Sequence, residues 1–179
     1  MHRGKLVILL MVVVGCAMGG ISVAFHHWLA RRAIAWWGRA NVELITEAPR
    51  VAALKLRTAA ASESGDVVTI NGERYLVSER KEVGGAEGID HLRHGLVEDG
   101  NFDWEKRLPG KPWQYGLEFQ NGDQRLIVVF NLKEPCVGRS DSDATLPIAA
   151  VATGWSEFFT AQFKEPGASS PAGVGKAAN

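Results

Sequence analysis

The chain has 179 residues, enough for one domain with room for an anchor and a tail. It carries 20 basic and 20 acidic side chains, and a net charge of zero excludes a global field steering it toward nucleic acid. Cys16 lies in an apolar segment, so it is not expected to pair with Cys136, and the two cysteines do not report a redox compartment.

The charge is unevenly spread. Residues 1–50 carry six basic side chains against two acidic ones. A basic start with a mildly acidic body suits a domain anchored beside anionic lipid. Residues 6–25 contain no charge. At about 1.5 Å per residue, a helix of that length reaches roughly 30 Å, the thickness of a bilayer core. No polar stripe interrupts it, as a soluble helix would require. The expected element over residues 1–25 is a transmembrane or signal-anchor helix, single-pass. Three fates are open. Retention as an anchor is favoured on length. Cleavage as a secretory signal is served by the small residues of Ser22-Val23-Ala24. Lipidation of Cys16 is suggested because Val13-Val14-Gly15-Cys16 resembles a bacterial lipobox, although the residues after Cys16 stay apolar. Arg3 and Lys5 on one flank balance Arg31, Arg32 and Arg39 on the other. The basic start resembles an export signal, so the soluble domain is expected outside the cytoplasm.

Residues 26–49 read as a juxtamembrane amphipathic helix and linker. Trp28, Trp36 and Trp37 are the side chains expected at headgroup level, with Arg31, Arg32 and Arg39 reaching phosphate beside them. The competing reading is a linker helix whose tryptophans pack on the domain.

The small α+β domain is expected over residues 50–165. Val51 to Leu56 reads as a strand. Asn71-Gly72, set between two β-rich runs, is the turn of a hairpin, because both of its positions need positive φ. Ala86 to Glu98 reads as a helix, with Ala86, Ile89, Leu92, Leu96 and Val97 on one face. A second Asn-Gly pair, Asn121-Gly122, predicts another hairpin, with Gln120 opposite Asp123. Trp113, Tyr115, Leu117 and Phe119 then share a face with Leu126, Val128, Phe130 and Leu132, while Glu118 faces Arg125. Ile127 and Val129 make the second of these strands apolar on both sides, hence central. A helix is expected from Pro147 to Phe163, with an aromatic stripe of Trp155, Phe158, Phe159 and Phe163. Residues 166–179 are Gly, Ala, Ser and Pro with little to bury and read as a disordered tail. The fold class is therefore α+β: an N-terminal membrane or signal helix, then a mainly antiparallel sheet of about five strands in the order β-β-β-α-β-β-α, two helices on one face.

Four places offer chemistry. Glu87, His91, His94 and Glu98 share one face of the predicted 86–98 helix and are weak candidate metal ligands, since ordinary i,i+4 surface pairing accounts for them better and no HExxH or Cys–His spacing is present. Cys136, beside His91 or His94, would make a thiol nucleophile if the fold joined them. Arg139-Ser140-Asp141-Ser142-Asp143 lacks the Gly and distal Glu of a calcium loop and reads as a polar turn. Phe102 and Trp104 form the candidate contact surface. No phosphate loop, GxSxG or RNA-binding aromatic pattern appears. The expected function is a membrane-anchored, non-catalytic accessory or protein-interaction domain without a cofactor, its partners being membrane lipid and another membrane or envelope protein. The alternative is a small thiol-dependent or hydrolytic enzyme using Cys136 with His91 or His94.

Overall fold

A computed structural model describes residues 11–19, 30–60 and 62–164. Residues 11–19 (α1) are helical and exposed. The remainder of the expected 6–25 span, Trp28 and the 166–179 tail lie outside the described residues. Among the described residues no helix is long and apolar enough to cross a membrane.

The fold is α+β, with one curled antiparallel sheet of seven strands. In chain order the elements are α2 (Arg31–Trp37), α3 (Arg39–Glu47), β1 (Arg50–Thr58), β2 (Val67–Ile70), β3 (Glu73–Glu82), α4 (Ile89–Gly95), a 3-10 turn (Asp99–Asn101), β4 (Tyr115–Asn121), β5 (Gln124–Asn131), β6 (Cys136–Arg139), β7 (Ser142–Pro147) and α5 (Ala152–Gln162). The spatial order is β2-β3-β1-β4-β5-β6-β7, which puts β1 and β4 in the middle.

Strand alternation sends side chains to two separate cores. Val51 and Ala53 of β1, Leu117 and Phe119 of β4 and Leu126, Val128 and Phe130 of β5 pack under the helices with Trp37, Ile45, Ile89, Trp155 and Phe159. The residues between them, Leu54, Leu56, Ile127 and Val129, meet Val68, Ile70, Tyr75, Trp113 and Cys136 on the other face. Side chains from β2 and from β5 and β6 touch there although those strands are far apart in the sheet, so this second core fills the inside of the curl. The curl is latched at one end by Asn71: its N–H donates to the Ser140 carbonyl at 2.9 Å and its side-chain amide to the Ser142 carbonyl at 2.6 Å.

The first hairpin follows its turn chemistry. Ile70 pairs with Glu73 around Asn71 (φ 50°) and Gly72 (φ 79°), both in the left-handed region that the two-residue turn needs. β5 is covered on both faces, as its continuous apolar run implies. The second hairpin differs from expectation by two residues. Asn121 pairs with Gln124, Gln120 with Arg125 and Glu118 with Ile127, so the turn is Gly122-Asp123. A shift of two preserves every face assignment. Glu118 and Arg125 still form an ion pair, now along a diagonal, and Glu118 also binds Arg80. Trp113 is the exception, lying inside the curl instead of under the helices. The indole fits there because Gly110 and Gly138 leave a slot: a Cβ at either would come within 2.7 or 2.8 Å of the ring. Gly138→Ala is accordingly expected to cost about 1–3 kcal/mol through overpacking, read as a lower urea midpoint at unchanged m-value.

The polar turn expected at residues 139–143 is the tip of a hairpin, β6–β7, with Arg139 opposite Ser142. Pro147 ends β7 and does not open the last helix, which starts at Ala152. An edge strand tolerates proline because no neighbour requires its missing N–H.

Residues 31–47 belong to the domain. Asp99 caps α2 from afar, its carboxylate accepting the Arg32 N–H at 3.0 Å and the Ala33 N–H at 2.6 Å. At the other end Arg139 donates to the Trp36 and Trp37 carbonyls at 3.0 and 3.1 Å. Trp37 is fully buried and its indole N–H donates to the Leu96 carbonyl at 2.6 Å. Trp36 is half-buried, edge-on to Trp37, with the Arg139 guanidinium 5.9 Å from its ring centre. The tryptophans of α2 thus pack on the domain, as in the second of the two readings, while among the described residues of the expected interfacial set Arg31, Arg32 and Arg39 are exposed.

Candidate functional site

Helix α4 is shorter than its periodicity suggests, ending where Gly95 and the 3-10 turn take over. Its buried side is also rotated. Ile89, Arg93 and Leu96 face inward, whereas Leu92 is half-exposed. Arg93 turns inward because the end of α3 presents carbonyls to it: its Nε donates to Ile45 O at 2.6 Å and its Nη2 to Ala48 O at 3.1 Å. Burial lowers its pKa from the usual arginine value, partly offset by Asp90.

This rotation leaves Leu92 on the wall of a trough between α4 and α5. The trough, about 540 Å³, is lined by Glu87, His91 and Leu92 on one side and by Gly154, Glu157, Phe158 and Ala161 on the other. It continues into a recess of about 110 Å³ bounded by His91, Glu98, Asn101, Val151 and Trp155. Phe158 in the trough and Trp155 in the recess are core side chains that present only an edge to these spaces. Gly154 keeps the trough open: a Cβ there would only touch Leu92, at 3.7 Å. Glu87, Glu98 and Glu157 make no ion pair among the described residues, although Glu98 accepts a long hydrogen bond from Asn101 at 3.4 Å.

Of the four candidate metal ligands, the structure brings His91 beside Glu87 at one end of the trough and beside Glu98 at the other. Glu87 and Glu98 lie outside the helix, so the four do not share one helical face. His94 is not in the trough, and its Nδ1 sits 2.7 Å from the Asp90 carbonyl of its own helix. Among the described residues no group of three or more His, Cys, Asp or Glu side chains is gathered to hold a metal.

Cys136 is not joined to either histidine. It is fully buried inside the curl, whereas α4 packs on the opposite face of the sheet. Burial, with the Glu134 charge adding to it, pushes the thiol up to about 11. A thiolate nucleophile near neutral pH is therefore disfavoured. The unfolded chain, with a thiol near 9, gives up its proton first as pH rises. The contribution is intact below about pH 9 and is lost on the way to pH 11, at about 1.4 kcal/mol per unit. Cys136→Ala is expected to flatten that part of the stability profile, measured as urea midpoints at pH 8 and 10.5.

Phe102 is buried in the core under the helices. Trp104 is half-buried, edge-on to Phe102 at 5.4 Å, and its indole donates to the Asp99 carbonyl at 2.9 Å. The pair expected as a contact surface is thus mainly a brace for the turn that caps α2. Sequence reasoning missed Glu157, Gly154 and Phe158 as site residues. The available signal was a glycine inside an otherwise aromatic helical pattern, which marks close approach or open space. No protein-family model, curated protein or solved structure matches the chain.

Proposed function

We propose that this chain is a membrane-tethered, non-catalytic interaction domain whose contact surface is the trough between α4 and α5. The trough itself carries the reading: a recess lined by half-exposed Leu92, exposed Ala161 and the edge of Phe158 lies beside three carboxylates that, among the described residues, are in no ion pair. Apolar surface recessed between polar rims is the ordinary anatomy of a protein contact. The uncharged 6–25 stretch supports tethering, and the basic start supports a domain outside the cytoplasm, facing another membrane or envelope protein. The burial of Cys136 away from His91 and His94 favours binding over thiol chemistry.

A photo-crosslinking side chain at position 161, exposed on the trough wall, is expected to give a discrete adduct in intact membranes. The same probe at exposed Lys55 on β1 serves as the background. Gly154→Arg fills the trough without a clash in the core and is expected to abolish the adduct. Equal labelling from both positions, or labelling indifferent to Gly154→Arg, would sink the proposal.

A further inference from the structure

We infer that the occupant of the trough is a short segment of another protein in which an apolar side chain is flanked on both sides by Lys or Arg. This rests on the trough being the contact surface. The middle of the trough asks for an apolar anchor, because half-exposed Leu92 faces exposed Ala161 across it, with only the edge of Phe158 reaching the surface between them. The charges ask for cations. Glu87 and Glu157 line the larger end, and Glu98 lines the recess at the other.

Among the described residues none of these carboxylates is in an ion pair, although His91 lines both parts of the trough and exposed Lys164 follows the end of α5. Arg93, the arginine of α4, is turned away toward the α3 carbonyls. Lys81, beside the C-terminal end of α5, is engaged by the Gln162 carbonyl, by Glu79 at 3.2 Å and by the Phe163 ring. The electrostatic preference of the trough is therefore set by acidic groups at both ends, with His91 between them.

The spacing follows from the helix. Seven residues of α4 span about 10 Å at 1.5 Å each, and an extended chain covers that distance in about three residues. Glu87 and Glu98 lie just beyond the two ends of α4. The flanking cations of the ligand should then stand about four to five residues apart, with the apolar anchor between them. Solvent-exposed ion pairs contribute only a few-fold each, so the apolar anchor supplies affinity and the cations supply selectivity.

The test uses a displayed library of random heptapeptides, panned against the full-length chain in nanodiscs of zwitterionic lipid, so that basic peptides gain nothing from the bilayer. Gly154→Arg and the double variant Glu87→Gln/Glu157→Gln are panned in parallel. Both sets of changes are at exposed positions, and near-ultraviolet circular dichroism of Trp155 verifies that the core is intact. Peptides that bind the parent chain but not Gly154→Arg, enriched in Lys or Arg around an apolar residue and at least about fivefold weaker on the double variant, are the expected result. Peptides sensitive to Gly154→Arg but without basic enrichment, or indifferent to the double variant, overturn the inferred ligand chemistry while leaving the contact surface standing. Recovery of no peptide sensitive to Gly154→Arg overturns both.

Discussion

Trp37→Ala is expected to destabilise the domain by about 3–5 kcal/mol, a large part of the 5–15 kcal/mol that a domain of this size holds in total. The side chain is fully buried among the helices and the sheet, so its removal leaves a cavity bounded by Ala33, Leu44 and neighbouring core residues that cannot all collapse into it. It also orphans the Leu96 carbonyl, which accepts the indole N–H at 2.6 Å. Trp37→Phe separates the two effects, since it keeps most of the apolar volume and loses only the donor; about 1–2 kcal/mol is expected. Urea unfolding in detergent micelles measures both. A cost below about 1 kcal/mol for the alanine variant would mean that α2 does not dock in solution and that Trp37 is free for lipid after all.

Arg93→Met is expected to cost about 2–4 kcal/mol. Methionine preserves the length and apolar volume of the stem but donates nothing. The Ile45 and Ala48 carbonyls, which close the last turn of α3, then lose their partners in a region with little access for water. The guanidinium also lies 5.7 Å from the centre of the Phe119 ring, a contact that methionine replaces only in part. Arg93→Lys should recover little, because one ammonium cannot reproduce two donors in a fixed fork. Amide hydrogen exchange provides the sharper measurement. Protection in α3 should fall in Arg93→Met while protection in β4 and β5 falls only by the global change. A uniform loss across the domain would show that Arg93 supports the fold generally and not the end of α3.

How far these features could be read from the chain depends on the range of the interactions that create them. The Asn71-Gly72 hairpin is local, and its turn and register follow from two residues and the runs beside them. β5 announces itself through continuous apolar residues, and α5 through its aromatic stripe. The second hairpin is half legible: alternation fixes the faces, but the turn slides by one residue to Gly122-Asp123, and the register by two, because face burial alone does not distinguish registers of the same parity. β6 escapes notice because four residues including Gly138 give too little pattern, and its pairing with β7 is a tertiary fact. Arg93 reads as part of a solvent face until the end of α3 arrives beside it. The site shows the same division. His91, Glu87 and Glu98 are suggested by local spacing, whereas Glu157, Gly154 and Phe158 join them only once α5 lies against α4.

The anchoring of α2 also has a kinetic side. The three groups that hold it, Leu96, Asp99 and Arg139, stand 59, 66 and 102 residues downstream of their partners. At a synthesis rate of about 5–20 residues per second, Arg139 follows Trp37 by about 5–20 s. For part of that interval the indoles of Trp36 and Trp37 lack the groups that hold them in the folded domain. They are then open to a holdase, to the ribosome surface or to a nearby bilayer. The last of the contacts that hold α2 is completed only when the hairpin at the other end of the sheet has been made.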